Sequence, residues 1–403
     1  MDIGRIREDF PCLHKEINGK LPIYLDTACT ALRPKQVIDA MNEYYYDFPS
    51  CGGRSVHKFG TEVTIRCDES RDQLQRLLNA ERAEEIIFLK NTTEGVNLLA
   101  YTLGLKKGDI VLGGDKEHNS NLVPWQVLSE RAGTKHETVK SNDDGSFSIE
   151  NLKEKLSPDV KLISIAEASN LDGSTVPAKE LIEVAHDNGS LVLFDGAQSV
   201  PHRKMDVQEL DLDFLCFSIH KMCGPSGMGV LYGKYDLLDS LDTFLVGGSS
   251  VADTTYDDYK LLRPPQKFEA GLQNFAGIIG TCAAVKYLMD IGMEEIHEHE
   301  KSLNRIATDL LSNIPGLTIL GPSAENRGGI TAFLVDGMEP HDVAMILDEV
   351  ANVMIRSGMH CNNSWFNDHG IRGSSRASFY IYNTEDEVRI FAEELEKIVQ
   401  EFR

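Results

Sequence analysis

The 403-residue sequence lacks the features that mark several classes of protein. It has no run of 18 apolar residues and no apolar signal core in its first ten residues, so neither a membrane span nor a secretion signal is predicted. Basic residues are scarce: 40 Lys and Arg stand against 63 Asp and Glu, a net charge of −23. Because nucleic acids and anionic membranes attract basic surfaces, we expect neither as a partner. The sequence therefore predicts a cytoplasmic protein.

Patterns typical of metal sites and disulfide frameworks are also missing. The eight cysteines include no C-x-x-C pair, and the closest two, Cys216 and Cys223, are separated by six residues. We therefore predict no metal site and no disulfide framework. The sequence contains no internal repeat and no low-complexity linker. A cysteine with a chemical role is expected to act singly.

Apolar strand segments alternate with amphipathic helical segments along the first three quarters of the chain. The strand segments are 85–89, 109–113, 162–166, 191–195 and 214–217. This alternation predicts an α/β fold whose mainly parallel sheet is covered by helices on both faces. Beyond it, short strands and the helical segments 341–350 and 385–401 predict a smaller α+β domain. We assign residues 20–290 to the large domain, and residues 1–19 and 291–403 to the small domain.

Polar side chains follow three of the predicted strands. Asn170, Asp195 and Lys221 all fall near carboxyl ends of strands, where open parallel sheets bind their ligands. A lysine held there is suited to a Schiff base with the aldehyde of pyridoxal phosphate (PLP), and a carboxylate to pairing with its protonated ring nitrogen. The alternatives are an exposed lysine and a carboxylate that caps a helix.

Three further stretches contain candidate functional residues. Thr92 and Thr93 open a predicted helix, where they either bind a phosphate or cap the helix. His118 either stacks on a flat ligand ring or satisfies hydrogen bonds of its loop. Cys361 lies in a polar loop near Arg356, and it is either a nucleophile or an incidental exposed cysteine.

An ordered set of motifs extends over nearly the whole chain. They are Asn-Thr-Thr-Glu-Gly-Val-Asn (91–97), Glu-His-Asn-Ser-Asn-Leu-Val-Pro-Trp (117–125), Ser-Asn (169–170), Asp-Gly-Ala-Gln (195–198), Ser-Ile-His-Lys (218–221), Phe-Glu-Ala-Gly (268–271), Arg-Ser-Gly-Met-His-Cys (356–361) and Arg-Ala-Ser (376–378). Together they resemble the class V, fold-type I PLP enzymes, and within them the cysteine desulfurases. The short offset between Cys361 and Arg376 resembles the Suf-type and selenocysteine-lyase-like group. The resemblance implies the PLP-dependent transferase fold of type I.

The resemblance also implies a role for each candidate residue. Lys221 would hold the cofactor and shuttle protons, His118 would stack on the ring, and Asp195 would pair with the ring nitrogen. Gln198 would bond the ring hydroxyl. The phosphate would be held by Thr92, Thr93, Ser218 and His220. The substrate-binding residues would be Asn170, Arg356 and Arg376. Cys361 would attack the sulfur of bound L-cysteine, which gives alanine and a persulfide on the enzyme.

Family membership would bring partners as well as chemistry. A homodimer is implied, together with an acceptor protein that takes the sulfur for iron–sulfur clusters or other sulfur-containing cofactors. The alternative functions are another class V activity: a selenocysteine lyase, an aminotransferase or an epimerase. The sequence departs from the family pattern at Leu272, where a Thr usually reaches the phosphate of the other subunit, and at Met359, Asn362 and Asn363 in the cysteine loop.

Overall fold

The computed structural model describes residues 1–402. Its helices are α1 (Ile3–Glu8), α2 (Lys35–Asp47), α3 (Lys58–Leu78), α4 (Thr92–Thr102), α5 (Asn119–Ala132), α6 (Ile149–Lys155), α7 (Ala178–Asp187), α8 (Tyr235–Ser240), α9 (Phe275–Ile291), α10 (Met293–Leu311), α11 (Pro340–Ala351), α12 (Asn363–Asp368) and α13 (Glu385–Glu401). Its strands are β1 (Ile23–Tyr24), β2 (Ile86–Leu89), β3 (Ile110–Gly114), β4 (Lys135–Val139), β5 (Val160–Ala166), β6 (Leu191–Asp195), β7 (Phe214–Ser218), β8 (Gly229–Gly233), β9 (Val251–Thr254), β10 (Tyr259–Leu261), β11 (Leu317–Ile319), β12 (Ile330–Val335), β13 (Val353–Met354), β14 (Arg356–Gly358) and β15 (Ser374–Ser378).

The largest sheet has the strand order β2-β8-β7-β6-β5-β3-β4 among the described residues. The pairs from β7 to β4 are parallel, while β8 runs antiparallel to both of its neighbours. The predicted α/β fold with a mainly parallel sheet is confirmed. The parallel register aligns the carboxyl ends of β5, β6 and β7, because Ala166 pairs with Asp195 and Asp195 with Cys216.

The central strands are apolar throughout because both faces of the sheet are covered. Along β6, Val192 and Phe194 lie in one buried cluster, and Leu193 lies in another on the opposite face. Alternate side chains of a strand point to opposite faces, so a strand packed on both sides needs an unbroken apolar run. Asp195 ends this run as a buried carboxylate, and it is therefore placed at the rim of the sheet.

A second core forms around the antiparallel sheet β11-β12-β15-β14. Phe333 of β12 and Phe391 of α13 are both fully buried there, with ring centroids 6.0 Å apart. Near the N-terminus, Ile6 and Phe10 belong to the core of the large sheet, whereas Ile23 belongs to this second core. The domain limits at residues 19–20 and 290–291 stay a prediction.

Several local elements differ from those predicted. Over residues 24–28 the sequence predicts a strand that runs into a loop; in the structure β1 already ends at Tyr24 and the chain then turns, with the Cys29 N–H donating to the Asp26 carbonyl at 3.0 Å. The hairpin of β9 and β10 and the helix α12 were not predicted, because they are short and exposed or lie in polar sequence.

Within residues 1–402 no single helix is long and apolar enough to cross a membrane. The bent pair of α9 and α10 meets that test jointly, by length and composition.

The end of the chain is tied to its beginning through Glu387. This buried carboxylate accepts from the Thr384 N–H at 3.1 Å in a capping box at the start of α13, and its other oxygen pairs with Arg7 at 2.7 Å. We expect Glu387→Ala to lower the free energy of unfolding by about 2 kcal/mol or more, because it removes a helix cap and leaves Arg7 unpaired. Urea unfolding measures this change. Glu393→Ala, on the exposed face of the same helix, is the control, and an equal loss in both variants would contradict the assignment.

Candidate active site

A cavity of about 480 Å³ opens at the carboxyl ends of β5, β6 and β7. All the residues predicted to form the site contribute to its wall: Thr92, Thr93, His118, Asn170, Asp195, Gln198, Ser218, His220, Lys221, Arg356, Cys361 and Arg376. They come from both sheets and from the turns beyond them, so residues nearly 300 positions apart meet in one place. The structure thus brings the predicted residues together, while their individual roles stay predictions.

One end of the cavity is built to receive an anion. Asn91 caps α4, because its side-chain oxygen accepts from the Glu94 N–H at 2.9 Å. The interpretation of Thr92 or Thr93 as the cap is therefore wrong. The Ser218 hydroxyl accepts from the Thr92 N–H at 2.9 Å and lies 2.7 Å from the Thr92 hydroxyl. Clustered hydroxyls at a helix N-terminus suit a phosphate group.

This end depends on a close backbone approach at Gly229. The first residue of β8 lies so near to Asn91 that a methyl group on it would come within 2.5 Å of the Asn91 Cα. No side chain fits there without displacing the backbone at the start of α4. The glycine thus allows the start of α4, and with it the hydroxyl cluster, to lie close against β8.

A lysine and a carboxylate of opposite charge face the same cavity. Lys221 lies in the short turn after β7, and Asp195 ends β6. Burial lowers the pKa of Lys221, and the charge of Asp195 raises it. Burial likewise raises the pKa of Asp195, and the charge of Lys221 lowers it. Asp195 also accepts from the Ala197 N–H at 3.0 Å, a turn contact rather than the helix cap considered from the sequence. Each charge thus opposes the pKa shift that burial causes in the other group.

Two histidines of the wall are neutral at physiological pH. Burial, followed by the charges of Lys221 and Arg376, lowers the pKa of His118 to about 4. His118 also accepts from the Ser120 N–H at 3.0 Å, so it caps α5 as well as lining the cavity. Burial and the charges of Lys221 and Arg33 lower the pKa of His220 to about 4. A neutral ring offers one donor and one acceptor, and its face is free of charge.

Two buried oxygens of the cavity wall lack a donor. Gln198 donates to the Ala28 carbonyl at 2.7 Å, and Asn170 donates to the His360 carbonyl at 2.6 Å. In the described part of the chain, neither amide oxygen has a hydrogen-bond partner. Buried acceptors without partners are costly, and a ligand that carries donors would satisfy them. With the phosphate cradle and the Lys221–Asp195 pair, this donor and acceptor set fits pyridoxal phosphate.

Asp26, which the sequence analysis missed, lies beside the two arginines of the site. The buried Arg376 donates to the Asn170 carbonyl at 2.7 Å and lies 3.5 Å from Asp26. The half-exposed Arg356 lies 3.8 Å from the other oxygen of the same carboxylate. Burial raises the pKa of Asp26, and both arginines lower it. The available signal was a carboxylate at the end of the apolar segment Ile23–Leu25.

Cys361 lies at the mouth of the cavity and is exposed. Its carbonyl accepts from the Asn119 N–H at 2.7 Å, which ties the cysteine loop to the start of α5 beside His118. The neighbouring His360 is buried and lies 2.9 Å from the Ser374 hydroxyl, so its ring is engaged with the sheet. Asn362, which differs from the family pattern, is also buried, and its side chain donates to the Lys116 carbonyl at 2.7 Å.

Two other observations complete the description of the wall. Cys29, which the sequence analysis did not single out, also lines the cavity. Leu272, where the family pattern has Thr, is 77% exposed and lies outside the cavity. The structure contains no group of three or more His, Cys, Asp or Glu side chains placed to hold a metal within residues 1–402.

Comparison with known proteins relates this site to one family. Residues 23–391 match the family model described as aminotransferase class-V. The chain is 39% identical to a protein from Haloferax volcanii named cysteine desulfurase, over 96% of this chain and 95% of that protein. A protein from Halalkalibacterium halodurans named probable cysteine desulfurase is also 39% identical, over 100% of this chain and 99% of its own.

Solved structures agree with the sequence comparison. The apo structure of cysteine desulfurase from Thermococcus onnurineus NA1 has a TM-score of 0.94 and 36% identity, covering 99% of this chain and 98% of its own. The cysteine desulfurase CsdA from Escherichia coli has a TM-score of 0.92 and 31% identity, covering 99% of each chain. The cystine C-S lyase C-DES, at 21% identity and a TM-score of 0.84, shares the fold.

The close approach at Gly229 predicts how the anion cradle can be broken. We expect Gly229→Ala to weaken the affinity for pyridoxal phosphate, because the added methyl group displaces Asn91 and the start of α4. Titration of the apoprotein with the cofactor, followed by absorbance, measures this effect. The control is Gly4→Ala, whose methyl group would meet only Asp2 at an ordinary 3.6 Å. Equal affinity in the two variants would contradict the prediction.

Proposed function

The chain belongs to the aminotransferase class-V family and is a pyridoxal-phosphate-dependent cysteine desulfurase. From this premise we propose that Lys221 holds the cofactor and that Cys361 takes the sulfur of L-cysteine. The products are L-alanine and a persulfide on Cys361. One observation carries the proposal: Lys221, Asp195 and Cys361 line a single cavity that also has an anion cradle and a buried arginine. When bound, pyridoxal phosphate supplies an aldehyde that condenses with amines and a ring that withdraws electrons from the substrate.

Separate parts of the wall hold separate parts of the cofactor. The phosphate is held by Thr92, Thr93, Ser218 and His220. Asp195 bonds the ring nitrogen, Gln198 the ring hydroxyl, and His118 covers one ring face. The low pKa of His118, about 4, keeps this face neutral. A neutral ring does not compete with Lys221 for the charge of Asp195.

Lys221 moves the protons of the reaction. Burial lowers the pKa of its amine, so a larger share of the amine is free to accept a proton near neutral pH than in an exposed lysine. In the proposal Nζ removes the proton from the substrate Cα and returns protons to the carbon that becomes alanine. The negative charge of Asp195 raises the pKa of the same amine.

Arg376 and Asn170 orient the substrate through its carboxylate. A guanidinium binds a carboxylate with two parallel hydrogen bonds, and the Nε of Arg376 has no partner in the described structure. Asp26 acts through Arg376 as a positioning residue, because its carboxylate lies 3.5 Å from a terminal nitrogen of the guanidinium. The half-exposed Arg356 adds a second positive charge at the mouth of the cavity.

Cys361 completes the sulfur transfer. Its thiolate attacks the substrate sulfur, the carbon–sulfur bond breaks, and the electron pair stays on the carbon, which takes up a proton. The sulfur remains on Cys361 as a persulfide, so no external oxidant or reductant is needed. Its exposed position suits handover to an acceptor protein for iron–sulfur clusters or other sulfur-containing cofactors. A homodimer and a cytoplasmic location are part of the same proposal.

Lys221→Ala tests the attachment of the cofactor. We expect the purified variant to lose the visible absorbance of protein-bound pyridoxal phosphate and to form alanine about 10³-fold more slowly, since it lacks both the amine and the proton carrier. Absorbance spectra and alanine release measure the two effects. Lys179→Ala, at an exposed lysine, is expected to match the parent protein. Cofactor that stays covalently attached to the variant after borohydride reduction would exclude Lys221 as the attachment point.

Cys361→Ser tests the sulfur acceptor separately. The variant is expected to keep the cofactor absorbance while losing nearly all formation of alanine and sulfide from cysteine, because a hydroxyl cannot accept the sulfur. Product analysis for alanine and for keto acid also distinguishes desulfuration from transamination. Cys12→Ser, an exposed thiol outside the cavity, serves as the control. Unchanged desulfuration in Cys361→Ser would refute the assignment.

A further inference from the structure

Two thiols share the active-site cavity. The chain has eight cysteines, all of them free, and within residues 1–402 only Cys29 and Cys361 line the cavity. Cys29 is partly exposed, and Cys361 is exposed. By contrast, Cys216 and Cys223 are fully buried, and burial raises the pKa of each thiol. Buried cysteines of that kind act as small apolar side chains, whereas a thiol in the wall of a reaction cavity is available for chemistry.

Cys29 is held firmly in its place. The Cys29 N–H donates to the Asp26 carbonyl at 3.0 Å, and the preceding carbonyl, of Ala28, accepts from Gln198 at 2.7 Å. The next residue, Thr30, donates from its hydroxyl to the His220 carbonyl at 3.1 Å. The segment that carries this thiol is thus bonded to both sides of the cofactor cradle. Cys29 belongs to the wall of the same cavity as Cys361.

Two of the three cations that line the cavity, Lys221 and Arg376, lie near Cys29. Burial lowers the pKa of Lys221 and of Arg376, and a negative charge on Cys29 raises both. The pKa of Lys221 is also raised by a negative charge on Cys361. The two sulfurs therefore both lie near the amine of Lys221, whose positive charge attracts anionic sulfur.

We propose that Cys29 is a second sulfur carrier, which receives the sulfane sulfur from Cys361. This inference rests on the proposed function, since it needs a persulfide on Cys361. The Cys29 thiolate attacks the terminal sulfur, the bond from that sulfur to the Cys361 Sγ breaks, and its electron pair leaves with Cys361. The proton of the Cys29 thiol ends on Cys361. One persulfide is consumed and one is formed, so the step needs no oxidant or reductant.

The persulfide offers two sulfurs to a thiolate, and only attack on the terminal one gives transfer. Attack on the Cys361 Sγ would instead form a disulfide and release hydrosulfide, and a reductant would then be needed to restore both thiols. The terminal sulfur also extends from Cys361 by a bond of about 2 Å, so the transferred atom lies beyond the Cys361 Sγ. Transfer leaves Cys361 free for a second turnover, so one chain stores two sulfurs.

The experiment maps sulfur on individual cysteines. The holoenzyme is given L-cysteine without added reductant, all thiols and persulfides are alkylated, and the peptides are analysed by mass spectrometry. We expect the mass of one extra sulfur atom on both Cys29 and Cys361. Cys29→Ser is expected to lower the total bound sulfur by about half, because one of two carriers is lost. Cys12→Ser is the matched control and is expected to retain the full amount.

Each other result has a definite meaning. Sulfur on Cys361 with none on Cys29 overturns this inference and leaves the proposed function intact, whereas no sulfur on Cys361 refutes the proposed function itself. In Cys361→Ser we expect no sulfur on Cys29, and sulfur persisting there would overturn the relay. A disulfide that joins the two peptides would also overturn it. Retention of the cofactor absorbance in Cys29→Ser shows that the variant is folded.

Discussion

The attraction between Lys221 and Asp195 is the constraint on which the site depends. Burial lowers the pKa of the amine and raises the pKa of the carboxyl, so each group alone would tend to lose its charge. Placed at the ends of neighbouring strands, they counteract this effect for each other. Register matters here: Asp195 pairs with Cys216 of β7, and the turn that carries Lys221 begins directly beyond that strand. A slip of one residue would turn either side chain toward the opposite face of the sheet.

The second constraint is the carboxylate of Asp26, which lies where the core of the large sheet meets the second core. Asp26 follows β1, whose strand pairs with β13 beside the second core, while Ala28, two residues later, accepts from Gln198 next to the large sheet. Asp26 thereby places Arg376, on β15, against a wall built mainly by the large sheet. Arg376 and Lys221, which we propose bind the substrate and the cofactor, are carried by different sheets, so this short segment sets the distance between the two proposed functions.

The sequence was sufficient for features that depend on local composition. Unbroken apolar runs identified β5, β6 and β7, and the polar residues beyond them led to Asn170, Asp195 and Lys221. The sequence was insufficient where contacts in the folded protein decide which of several similar residues takes a given role. Asn91, Thr92 and Thr93 are all good caps, and only the backbone geometry shows that Asn91 takes that role. Asp26 gained interest only from its long-range contact with Arg376, and Cys29 only from its place in the cavity wall, and no local pattern encodes either. The strand β8 was missed because its two glycines reflect close packing, of Gly229 on Asn91 and of Gly233 on Leu238.

Solvent exposure increases from the interior of the cavity to its mouth, and the proposed reaction steps are arranged along the same direction. Lys221, Asp195 and the neutral His118 lie in the interior, where loss of hydration strengthens electrostatic interactions and limits side reactions. Cys361 lies at the exposed mouth, within reach of a large partner. Because one residue cannot be both shielded from water and open to a protein, proton transfer and sulfur export are assigned to different side chains. A partly exposed thiol such as Cys29 lies between these two environments, and this is where a sulfur atom would remain if Cys361 were reloaded before any acceptor arrived.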